Sequence, residues 1–191
     1  MGSEMCIRDR NKQIGSSSSS GVSFVASAGQ GLSWFQSEGY AKLIKEVEKA
    51  EGSLPVAVVF NLGVNDMANA SNYVSYMTNI ASTLKSKNCK LFYMSVNPLN
   101  STMITKAGKG SRTEAQVREF NSKIRSGLSA NYKYIDTYSV LMKTGYGTNA
   151  SYNGEDSVSD DGLHYTTKTF KRIYYYCVIY LNTGSIDSFY Y

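Results

Sequence analysis

The chain has 191 residues, of which 42% are hydrophobic, 18% charged and 13% aromatic, with a formal net charge of +5. That length predicts one compact domain with its own core, and the composition excludes a disordered chain; no apolar run approaches the ~20 residues of a membrane-spanning helix. Its 20 Lys and Arg stand in ones and twos rather than in blocks, which argues against a nucleic-acid partner, and Cys6, Cys89 and Cys177 show no spacing that suits zinc or a disulfide framework.

In chain order, SSSSSG (16–21) reads as a loop, and VSFVASAG (22–29) as a short buried strand ended by glycine. EGYAKLIKEVEKAEG sets Leu43, Ile44 and Val47 at helical spacing with Glu and Lys opposite, and LPVAVVFNLG is a β-branched run of the kind covered on both faces. NASNYVSYMTNIASTLKSKN predicts a helix capped by Asn69 or Ser71, with Tyr73, Met77, Ile80 and Leu84 inward; KLFYMSVNP is the next strand, stopped by Pro98. Residues 100–112, with Gly108 and Gly110, read as a loop. RTEAQVREFNSKIRSGL follows as a helix burying Val117, Phe120, Ile124 and Leu128, YKYIDT as a strand, and TTKTFKRIYYYCVIYLN as a terminal helix. Alternating strands and helices predict a doubly wound α/β fold, a mostly parallel sheet with helices on both faces, whose chemistry lies beyond the carboxyl ends of the strands.

Three segments at those ends carry polar residues that packing does not require. In AGQGLSW, Gly29 and Gly31 allow positive φ and unobstructed backbone N–H groups, as an oxyanion hole needs, although two glycines also make an ordinary turn. In FNLGVNDMANA, the amide of Asn65, beside Asp66, can donate to a developing oxyanion; the bland alternative is an Asx-turn or helix cap. In DDGLH, the only histidine, His164, follows Asp161 by three residues, which can set the carboxylate against Nδ1 of the ring. Sixteen tyrosines and Trp34 could stack on sugars, though half-buried packing accounts for most tyrosines.

Together, GQG, GVND and DGLH resemble three of the four blocks of the SGNH, or GDSL-type, hydrolases, and VNP, RTEAQVREFN, YIDTYS and GLHYT are similar to small bacterial members. The resemblance runs over residues 11–182, leaving 183–191 as a tail. It implies a three-layer α/β/α, flavodoxin-like fold and an esterase, with His164 as general base, Asp161 as its partner, and Asn65 and Gly31 (or Gly29) as oxyanion donors. It implies no metal or organic cofactor, an acyl or acetyl ester on a small molecule, glycan or lipid as substrate, and a monomer. Export from a bacterial cell is an expectation at the family level.

The remaining block, a Gly-Asp-Ser at the end of the first, central strand, occurs nowhere in the sequence. The start MGSEMCIRDR has no apolar run of a signal peptide, and MCIRDR is how ATG TGT ATA AGA GAC AG plus one base translates, the transposon-end adapter of sequencing libraries. Residues 1–10 are therefore read as non-native, the nucleophile stays unassigned, and the chain as written is expected to lack its central strand, to fold poorly and to be inactive. The alternative is a nucleophile-free domain that binds carbohydrate or another surface, with Trp34 and the tyrosines as stacking faces. A flavodoxin-like nucleotide binder ranks third, since no glycine-rich phosphate loop follows an N-terminal strand. The loops at 100–112 and 145–159 are expected to shape substrate choice.

Overall fold

A computed structural model describes residues 22–27, 29–50, 54–148, 151–152, 155–156 and 160–186. The non-native start read at 1–10 and the serine loop at 16–21 lie outside the described residues. The chain divides into two compact units, one formed by Gln30–Val96 and Val117–Asp136, the other by Met1–Gly29, Asn97–Gln116 and Thr137–Tyr191.

The first of these units holds a parallel sheet in the order β1 (Val56–Phe60), β2 (Cys89–Met94), β3 (Lys133–Ile135), with Val58 opposite Leu91 and Tyr93 opposite Tyr134. Parallel strands need crossover connections, supplied between β1 and β2 by helix α2 (Ala70–Ser86). Its predicted inner stripe is met: Tyr73, Met77, Ile80 and Leu84 are all buried. Asn69 stands at the cap position but makes no side-chain capping bond. Ahead of β1, a helical segment runs through Leu32–Trp34, a π-type turn at Phe35–Gly39, and α1 (Tyr40–Lys49).

Central strand β2 is buried at every residue except Lys90. β1 departs from the expectation of two covered faces: Val58 and Phe60 are buried, Ala57 is exposed. Among the described residues β1 pairs only with β2, so it has the half-covered character of an edge strand. Beyond the strand, Gly63 takes φ +118°, and the Phe120 ring fills the space where a β-carbon would stand. Phe120 meets Tyr73 edge-to-face at 5.3 Å. Asn121 closes the exit of β2: its Oδ1 accepts from Val96 N–H and its Nδ2 donates to Val96 C=O, both at 2.8 Å and buried. Both groups sit on helix α4 (Glu114–Gly127), which buries Val117, Phe120 and Ile124 as its periodicity predicts. Its start is a reciprocal cap, Thr113 N–H donating to Gln116 Oε1 at 2.9 Å and Gln116 N–H to Thr113 Oγ1 at 3.3 Å.

The other unit carries α3 (Ser101–Lys106), α5 (Thr137–Thr144), a short antiparallel pair of β4 (Ser151–Tyr152) with β5 (Glu155–Asp156), and α6 (Thr167–Thr183). Two expectations change here. The run Val22–Ser27 is not a strand, and Val22 is exposed; small residues at Ser23, Ala26 and Ser27 give it little to bury, and no described strand pairs with it. The supposed loop 100–112 contains helix α3, because Asn100 Oδ1 accepts the Met103 N–H at 3.1 Å and Ile104 is fully buried. α6 starts on a Thr166 cap and ends at Gly184 in the left-handed conformation, φ +78°.

Candidate active site

The loop ahead of α6 is built by its own aspartates. Asp160 Oδ1 accepts the Gly162 N–H at 2.8 Å, and Gly162 itself takes φ +72° so that its carbonyl receives Asn100 N–H, also at 2.8 Å. A β-carbon on Gly162 would run into the backbone of Asn100 and Ile104. Asp161 divides its carboxylate. Oδ1 accepts the backbone N–H groups of Leu163 (3.0 Å) and His164 (2.9 Å), while Oδ2 lies 2.5 Å from His164 Nδ1.

Asp161 is only 5% exposed. Burial, the largest single influence, pushes its carboxyl upward, but the His164 ring and the two N–H donors together outweigh it and hold the group down at about 2. An ionised carboxylate offers only acceptors, so Nδ1 carries the proton that lies between them, and the neutral imidazole then has its lone pair on Nε2. The sequence spacing anticipated this contact. It did not anticipate Tyr165, whose hydroxyl donates to Pro98 C=O at 2.7 Å and anchors the loop on its far side.

In the sheet-bearing unit, Asn65 Nδ2 donates to Gln30 C=O at 2.8 Å, which orients the amide against the glycine turn. Asp66 ties the same turn down: its Oδ2 accepts the Leu32 N–H at 2.8 Å and its Oδ1 the Tyr73 hydroxyl at 2.6 Å. Burial first, and then the bond to Asp66, hold the Tyr73 phenol well above its ordinary range. The expectation of positive φ at both glycines holds at Gly29 (φ +63°) and fails at Gly31, whose backbone is extended at φ −133°. Gly31 is small for another reason, since the Asp66 carboxylate takes the place of its side chain. That role for Asp66 had no sequence signal, because its partner lies 34 residues away.

Trp34 does not offer the exposed stacking face considered for it. It is 8% exposed, with the Lys42 ammonium 5.6 Å from its ring centroid. Tyr73, Tyr93 and Tyr132 are likewise buried as packing residues. Among the described residues, no three His, Cys, Asp or Glu side chains gather as a metal ion would require, and no helix is long and apolar enough to cross a membrane.

None of the curated proteins matches the chain. A solved structure, the lipase/acylhydrolase from Enterococcus faecalis, is similar with a TM-score of 0.54 and 17% identity, covering 94% of this chain and 85% of that one. At that identity the likeness concerns the fold alone, an α/β architecture with a parallel sheet. The sequence pattern of the GDSL-like Lipase/Acylhydrolase family matches residues 6–176, a span that takes in the GVND turn and the DGLH loop alike, and the chain belongs to that family of hydrolases.

Proposed function

We propose that the protein is an ester hydrolase of the serine type, with His164 as general base. The observation that supports this most is the Asp161–His164 pair: a buried, ionised carboxylate held at Nδ1 by two backbone N–H groups fixes both ring orientation and tautomer. In this reading a serine hydroxyl attacks the acyl carbonyl while Nε2 of His164 takes its proton and returns it to the leaving alcohol. Asp161 stabilises the imidazolium formed in between. The N–H of Gly31 or Gly29 and the amide of Asn65 donate to the oxyanion, each such donor contributing on the order of 3 kcal/mol to the transition state. Water then repeats the cycle and releases the acid.

The serine is the part this sequence does not provide, since it contains no Gly-Asp-Ser. The chain as written is therefore proposed to be inactive for lack of its nucleophile, and its relative with a Gly-Asp-Ser strand ahead of residue 11 to be active. The test is hydrolysis of p-nitrophenyl acetate by both. Turnover is expected only from the extended chain, sensitive to phenylmethylsulfonyl fluoride and abolished by His164→Ala. Equal turnover by the two chains, or activity indifferent to His164→Ala, would refute the assignment.

A further inference from the structure

We propose that the cleft between the Leu32–Gly39 segment and the outer face of α2 binds an uncharged saccharide. The cleft measures about 400 Å³ and is walled on one side by Asn69, Asn72, Ser75, Tyr76 and Asn79 of α2 and its start, and on the other by Ser33 and Gln36. That volume suits a small ligand rather than a macromolecular face.

Residues 69, 72, 76 and 79 recur at three and four positions along a helix and so share one face. Among the described residues, none of the Asn, Gln or Ser side chains lining the cleft makes a hydrogen bond within the protein. These amides and hydroxyls can both donate and accept, which is the demand a polyhydroxylated ring makes. Tyr76 is held edge-on by Phe35 (6.0 Å) and Tyr40 (6.3 Å), giving the cleft a firm aromatic wall.

The choice of residues is unusual for an exposed helix face. Asn and Ser are poorer helix formers than Lys, Glu or Ala, yet α2 has no charged residue before Lys85. The exposed sides of neighbouring helices are filled conventionally, with Lys42, Lys45, Glu48 and Lys49 on α1 and Arg118, Glu119, Lys123 and Arg125 on α4. A local preference set aside along one face, where no described residue uses the result, marks a functional surface.

Charge narrows the ligand class. Among the described residues no Lys, Arg or His lines the cleft, so they offer a phosphate or carboxylate no counterion there. The one carboxylate that lines it among the described residues, Asp66, already accepts from Leu32 N–H and Tyr73 OH. Among the described residues Leu32 and Tyr76 are the only apolar side chains on its walls, too few to line an acyl chain. A neutral, hydrogen-bonding ligand remains.

The test is a titration of the full chain, followed by ¹H–¹⁵N NMR, with cellotetraose, xylotetraose and tetra-N-acetylchitotetraose, and with a heparin tetrasaccharide as charged comparison. At least one neutral sugar should give saturable shifts of the Gln36, Asn72 and Asn79 side-chain amides. Asn72→Ala with Asn79→Ala should weaken that binding at least tenfold while raising the melting temperature, because alanine is the better helix former. Ser82→Ala, on the same helix but outside the cleft, should leave binding unchanged. Retardation of the same variants in native gels cast with xylan or hydroxyethylcellulose gives a second readout from small amounts of folded chain. The proposal is overturned if no neutral sugar saturates, if the heparin fragment binds as tightly, or if the double variant binds like the parent. Neither readout needs turnover: absent binding with intact ester cleavage defeats this inference alone, and binding without cleavage in the serine-bearing chain defeats only the hydrolase reading.

Discussion

The carboxylate of Asp66 occupies the position that a side chain at Gly31 would take: a β-carbon there would lie under 3.0 Å from all three carboxylate atoms. Gly31→Ala must therefore push Asp66 aside and break its bond to Leu32 N–H. We expect the substitution to destabilise the fold by about 1–3 kcal/mol, the penalty of a lost charge-assisted bond and a displaced half-buried group. In an Asp66→Ala background the same change should be nearly neutral. Urea unfolding of the four-member cycle measures the coupling, and additive effects would show that the two residues do not interact.

The acid–base pair predicts an order of kinetic effects. In the serine-bearing chain, His164→Ala removes the base and Asp161→Ala removes only its orientation. Values of kcat/KM should fall further for His164→Ala, by roughly 10- to 100-fold beyond Asp161→Ala. Equal losses, or the reverse order, would be incompatible with the roles assigned.

Stability should carry the signature of Asp161. Its carboxyl lies at about 2 in the folded chain against 3.8 for the free group. A depressed folded value means the unfolded chain binds the proton more readily, so the contribution, about 2 kcal/mol, is fully present above pH 4 and is lost as the pH falls through 2. Unfolding free energies of wild type and Asp161→Asn should differ above pH 4 and converge as the pH falls through 2. A gap that stays constant down to pH 2 would place the shift elsewhere.

Asn121 gives a prediction independent of function. Its amide satisfies both the N–H and the C=O of Val96 in a buried setting. Asn121→Ala leaves two backbone groups without partners and should cost about 2–4 kcal/mol, visible as a lowered melting temperature, whereas Ser122→Ala, exposed on the same helix, should change it little.

Elements whose signal is local were legible in the sequence. The stripe Tyr73, Met77, Ile80 and Leu84 reports its own helix because each side chain answers to the same buried face. Asp161 and His164 are three residues apart, close enough for the loop alone to join them. Helix α3 was hidden because its content is ordinary; the Asn100 cap and the burial of Ile104 decide it, and burial is a tertiary outcome. The run at Val22 failed for the opposite reason, since an apolar pattern becomes a strand only beside a ladder partner. Asp66 was quoted for its neighbour Asn65, while its own bonds depend on chain returning from 34 residues away.

The π-type turn at Phe35–Gly39 widens the helix just ahead of α1. Such a turn holds one residue more than an α-helical turn, so it behaves as an insertion absorbed without breaking the helix. Removing one residue from it would restore regular winding and narrow the helix at that point, leaving the turns on either side in phase with one another. Ser33 would keep its direction, whereas Gln36, which the wide turn itself carries, would draw in, and the width of that cleft would change while the sheet kept its register. A single-codon deletion there is thus a route by which one scaffold could trade one ligand for another.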